Sequence, residues 1–138
     1  MKVRLKLLDI LRESTGIEPF PFQNTKTITI INDNGKEVSV NCELALTPKE
    51  KMQGLLHRDS LCNNCGVLFE SDGGGYHMDG MNFPIDMVFI NDGIIVEIVK
   101  AKPGDEGIEP NIDFTHNLEV NDGFCDNNNI SEGCEIAL

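Results

Sequence analysis

The sequence predicts a mainly β domain, a β-sandwich or a barrel, with one short helix and a separate N-terminal arm. Three observations carry this. Short runs rich in β-branched residues alternate apolar with polar positions. Turn-forming Asn, Asp and Gly separate these runs at close spacing. Strong helix-start chemistry occurs after the first hairpin and marks one short helix. The 138 residues correspond to one domain, and 40% apolar against 25% charged residues is enough to bury a core without staples.

Residues 1–25 read as the arm. Val3, Leu7, Ile10 and Leu11 fall on one helical face, although Val3, Leu5 and Leu7 also alternate as a short strand would. The helix reading, over about residues 5–14, is preferred, with Gly16 as its stop. The segment 17–25 holds Pro19 and Pro21 beside Phe20 and Phe22, and each proline removes a donor and extends its predecessor.

The core domain is expected over 26–138. Thr27–Ile31 alternates, Asn32-Asp33-Asn34-Gly35 turns, and Glu37–Leu46 returns as a hairpin. Thr47-Pro48-Lys49-Glu50 combines a capping hydroxyl, a proline at the first helical position and a capping-box glutamate. The helix is expected over about 48–56, burying Met52, Leu55 and Leu56. A loop over 57–66 precedes a short strand, Val67–Phe69, and a flexible turn, Ser71–Gly75. Pro84–Ile90 and Ile94–Val99 form a second hairpin around Asn91-Asp92-Gly93. Residues 101–111 form a polar loop, and Thr115–Val120 and Glu135–Leu138 are the last strands. The acidic part of that loop lacks the oxygen spacing of an EF-hand and reads as solvated.

The net charge is −12, and residues 59–138 hold only Lys100 and Lys102 against sixteen acids. Such a surface repels phosphate backbones, which argues against nucleic acid as the partner of the main body. No apolar run approaches the ~20 residues needed to cross a bilayer, so no membrane association is expected. The start is basic and apolar but is interrupted by charges and lacks a small-residue cleavage site, which argues against a signal peptide. The expected compartment is the cytoplasm, or the virion if the gene is viral.

Three stretches share an ordered pattern: Glu43 to Leu61, Gly66-Val67-Leu68-Phe69, and His77-Met78-Asp79-Gly80-Met81-Asn82-Phe83-Pro84-Ile85-Asp86-Met87-Val88-Phe89-Ile90. The closing Asn117-Leu118-Glu119-Val120, Gly123, Ile130, Gly133 and Glu135-Ile136 continue it. Over about residues 27–138 the chain resembles the domain of unknown function catalogued as family 192, found in bacteria, archaea and some phages. The resemblance implies a compact sandwich-like fold with a short helix after the first hairpin, and no known reaction. The chain departs from the family pattern at His77 (usually Trp), Asp79 (usually Lys) and Cys134 (usually Asp), and Cys62 and Cys65 stand in what is ordinarily a plain loop.

Asp86 is the odd residue of its strand, because its same-face neighbours Pro84, Val88 and Ile90 are apolar. It reads either as a site acid or as an anchor that accepts backbone N–H bonds or pairs with Arg58. His77 follows a Gly-rich turn and reads as a general base or as a plain loop residue. No elbow nucleophile accompanies it, so no catalytic residue is assigned. The five cysteines leave three readings open. Cys62, Cys65, Cys125 and Cys134 could hold zinc, could form disulfides Cys62–Cys65 and Cys125–Cys134, or could remain thiols. Zinc is the one cofactor the sequence brings into view.

Function is expected to be that of a non-enzymatic binding or structural module docked on a protein partner or larger assembly. Lys2, Arg4, Leu7, Leu11, Phe20 and Phe22 of the arm would make the contact. A virion-associated role, as a capsid decoration or accessory protein, is a concrete form of this reading. The alternative is a small-ligand-binding protein or an enzyme with its site around His77, Asp86 and Arg58.

Overall fold

A computed structural model describes residues 22–138. In chain order the elements are β1 (Thr25–Ile31), β2 (Glu37–Ala45), α1 (Pro48–Gln53), β3 (Cys65–Glu70), β4 (Ile85–Asn91), β5 (Ile94–Ala101), β6 (His116–Asn121), α2 (Phe124–Asn127) and β7 (Glu135–Ala137). The strands close into a barrel in the order β1-β2-β3-β6-β4-β5-β7, with β7 pairing back on β1. The mainly β expectation is met, and of its two forms the closed barrel is the one adopted. All described neighbouring pairs are antiparallel except β2 with β3, which run parallel.

Alternation along the strands sorts the side chains into two cores. Ile28, Ile30, Val40, Cys42, Leu68, Val88, Ile90, Ile95, Leu118, Val120 and Ile136 fill the barrel. Phe124 and Cys125 of α2, with Ile130 and Cys134 after it, pack into the same core. The second core lies outside the barrel. There Val67 and Phe69 of β3 and Ile85, Met87 and Phe89 of β4 meet a covering layer of Phe22, Leu55, Leu61, Met78, Phe83 and Ile108. Strand β6 lies between β3 and β4, so its outward side chains enter this covered layer too.

Two local features hold the frame. In the β1–β2 turn, Asn32 Oδ1 accepts the N–H groups of Asn34 (3.0 Å) and Lys36 (2.9 Å). At α1 the capping box is complete: Thr47 Oγ1 accepts from Glu50 N–H at 3.1 Å, and Glu50 Oε1 accepts from Thr47 N–H at 3.0 Å.

Helix α1 ends earlier than expected. Gly54 has φ +49° and donates its N–H to Glu50 O, which stops the helix one turn short of Leu56. Leu55 is buried as expected and Leu56 is half-buried, but Met52 is 78% exposed. The expected boundary at residue 25 also shifts, because Phe22 belongs to the domain. Its ring is buried in the outer core and its N–H donates to Glu43 Oε1 at 2.7 Å. The arm helix and Lys2, Arg4, Leu7, Leu11 and Phe20 lie outside the described residues.

Candidate functional site

The residues singled out from the sequence do not form one site. Asp86 is fully buried, on the barrel-facing side of β4. Its Oδ2 accepts Cys125 N–H at the start of α2 (3.1 Å), and its Oδ1 accepts Lys100 Nζ from the paired position on β5 (3.1 Å). Asp86 is therefore an anchor that ties α2 across the barrel end, and its cation is Lys100 rather than Arg58. The hydrogen bond to Asp86, reinforced by the charges of Asp86 and Asp126, outweighs partial desolvation and raises the Lys100 ammonium.

Arg58 pairs with Glu43 instead, in a fork of 2.7 and 2.8 Å between two largely buried side chains. Its guanidinium also lies 5.3 Å from the centre of the Phe22 ring. Burial works to raise the Glu43 carboxyl. The bonds from Arg58 and the Phe22 N–H, with the guanidinium charge, outweigh it and leave the group below its ordinary value. Phe22, expected to meet a partner, is thus occupied within its own domain.

His77 is 66% exposed, and its Nδ1 lies 4.0 Å from Asp79 Oδ2. The four cysteines do not converge. Cys62 and Cys65 are joined in a disulfide at the start of β3, whereas Cys125 and Cys134 are free thiols in the barrel core. Burial raises the Cys125 thiol, and the negative Asp86 raises it further. Among the described residues no group of three or more His, Cys, Asp or Glu is placed to hold a metal ion. Of the three readings left open for the cysteines, the disulfide holds for Cys62–Cys65, and Cys125 and Cys134 remain thiols.

A cleft the sequence did not single out lies in the outer layer. It encloses about 200 Å³ between α1, the outer face of the sheet and the loop through Tyr76 and Met81. Its floor comes from β6, whose Leu118 and Val120 face the barrel while Asn117 and Glu119 face outward. Glu119 sits between Val67 of β3 and Met87 of β4 in the sheet register, whose apolar side chains offer its carboxyl no hydrogen bond. It is 6% exposed, and Asn117 Nδ2 donates to its Oε2 at 3.0 Å. Burial pushes the carboxyl up to about 7, against the lowering effect of the Asn117 amide.

Gln53, from the last position of α1, closes over this floor and is 1% exposed. Its Oε1 and Asn117 Oδ1 are buried acceptors without a donor among the described residues. Each such group costs about 1–3 kcal/mol unless something supplies the bond. Tyr76 makes the third wall. An isolated bridge to Ile108 positions it, with N–H···O bonds of 2.8 and 2.9 Å in the two directions. Its ring packs on Phe89, Phe114 and Phe69 at 5.7, 6.2 and 6.5 Å. Burial, then the negative Glu119 and Asp72, push the phenol up to about 12, so it stays protonated.

The match to known proteins follows this frame. A family model described as DUF192, Uncharacterized ACR, matches residues 29–138. The chain belongs to the DUF192 family. Its barrel is similar to that of a proposed transcription regulator from Sinorhizobium meliloti 1021. That protein is 26% identical, with a TM-score of 0.77 over 86% of this chain and 97% of the other. It is also similar to a protein of unknown function from Novosphingobium aromaticivorans DSM 12444, 23% identical. There the TM-score is 0.78, over 88% of this chain and 91% of the other. No curated protein matches the chain. Of the DUF192 residues in the cleft, Glu119 and Tyr76 stand inside or beside the resembling stretches, but no periodicity marks Glu119 as covered. The usable signal was the pair Glu50 and Gln53, three apart on a short helix that had to lie on the sheet.

Proposed function

We propose that this DUF192 protein is a non-enzymatic binding module that takes a small ligand, or one side chain of a partner, into the cleft beside α1. The observation that carries the reading is the pairing of a buried carboxyl, Glu119, with the unsatisfied Gln53 Oε1 in a cleft that opens to solvent. Buried polar groups with acceptor capacity left unfilled are what a ligand bringing donors would satisfy. Among the described residues, side chains from the strands and α2 pack together as the core inside the barrel, whereas the cleft lies in the outer layer. Docking on a larger assembly through the arm draws its support from the sequence of residues outside the described region.

One observation favours a second reading, an enzyme that moves a proton with Glu119. Its carboxyl is poised near neutrality, where a general acid or base works best. Tyr76 would then orient the substrate. The exposed His77 lies on the cleft rim and not against the carboxyl.

The test is a fragment screen read by backbone amide shifts on the labelled protein. Fragments that move the signals of Gln53, Tyr76, Met78 and Glu119 together support the cleft. A screen in which all responses cluster elsewhere on the barrel, or in which none occur, removes the proposal.

A further inference from the structure

We infer that the cleft recognises a primary ammonium group carried on a short aliphatic chain. This rests on the reading of the cleft as a ligand site. Two acceptors at its base have capacity left: Gln53 Oε1 has no donor, and Glu119 has only its Oε2 engaged, by Asn117. A ligand that fits must therefore bring donors, and an ammonium brings three and no acceptor. The charged groups around the opening favour a cation. Glu70, Asp72 and Asp79 stand there against Lys51, with His77 beside them.

The same geometry discriminates between cations. A guanidinium binds a carboxylate best through two parallel bonds, which needs both oxygens. In a cleft of about 200 Å³ a compact point charge approaches the carboxylate more easily than a planar fork does. The walls suit the rest of the ligand. Met52, Leu56 and Met81 offer adaptable apolar surface for a methylene chain. The Tyr76 ring offers its face to the charge. About 200 Å³ admits something the size of a side chain rather than a drug-sized molecule. A free alkylamine and a lysine side chain of a polypeptide share this chemistry.

The experiment titrates the protein with n-butylammonium, n-butanol, n-butylguanidinium and Nα-acetyl-lysine methylamide at about pH 8, where Glu119 is ionised. Tyr76 is the chain's one tyrosine, and no tryptophan is present, so its fluorescence reports on the cleft directly. Amide shifts provide the map. The expected result is binding of n-butylammonium, with n-butanol and the guanidinium weaker. In Glu119→Gln the ammonium should weaken by about tenfold or more. Met52→Lys, at an exposed position that leaves folding intact, should compete from within and weaken it as well. Tighter binding of the lysine derivative than of butylammonium assigns the source to a polypeptide, and the reverse assigns it to a free amine. If neutral fragments map to the cleft while both amines do not, the ammonium class is wrong and the cleft stands. If nothing maps there, the binding-module reading falls with it.

Discussion

Replacing Glu119 with Gln isolates the energy stored in one buried carboxyl. The side chain keeps its shape and can still accept from Asn117 Nδ2, but it can no longer ionise. In the folded protein burial raises this carboxyl from 4.5 to about 7. Between those values the folded state holds a proton that the unfolded chain has released. The wild type therefore loses stability as pH rises through this window. Below the lower value the penalty is absent, and above the upper one it is complete. The difference corresponds to about 3 kcal/mol. Glu119→Gln should match the wild type near pH 4.5 and exceed it by up to about 3 kcal/mol near pH 8. Urea unfolding followed by far-ultraviolet circular dichroism at a series of pH values measures this, and the difference between the two proteins cancels the other titrating groups. Parallel curves across the whole range would show that Glu119 is ionised at no cost, and the account of its burial would be wrong.

Truncation at the Arg58–Glu43 fork should be severe. Arg58→Ala leaves a buried carboxylate, and a loss of about 3–5 kcal/mol is expected in denaturant unfolding; a loss below 1 kcal/mol would place the pair in solvent. Asp86→Asn removes the charge that holds Cys125 N–H and Lys100. Stability should fall by about 1.5–3 kcal/mol while fragment binding at the cleft is unchanged, and lost binding with full stability would instead make Asp86 a site acid. Thr47→Ala breaks the capping box and should cost about 1 kcal/mol, with faster amide exchange confined to α1 and Gln53. Reducing Cys62–Cys65 opens only a very short loop and should cost at most about 2 kcal/mol; global unfolding on addition of dithiothreitol would contradict a self-sufficient core.

The strands and the helix start were legible because their signals are local. Thr47, Pro48 and Glu50 specify a cap from adjacent residues, and the Asn32–Gly35 turn specifies a hairpin in the same way. Closure was not legible, because it depends on β7 reaching β1 and on β2 lying parallel to β3, pairings between segments far apart in the chain. The end of α1 was misplaced because Leu55 and Leu56 continue an apolar pattern across Gly54, while the backbone there leaves helical space. Asp86 stood out because an acid within an apolar run must be paired. Glu119 did not, because Asn117-Leu118-Glu119-Val120 alternates like a strand with one wet face. Alternation says which side of a sheet a residue takes, but it cannot say that a second layer covers that side.

The parallel junction of β2 with β3 has an evolutionary corollary. A chain cannot link parallel neighbours with a tight turn, so residues 46–64 have to travel back along the outside of the molecule. That return path carries Gln53 and one wall of the cleft, while Glu119 of the floor belongs to β6. Recognition and folding are thus assigned to different stretches of sequence. Lengthening, shortening or rewriting the return path gives descendants a means of changing what they hold without renegotiating the barrel beneath it.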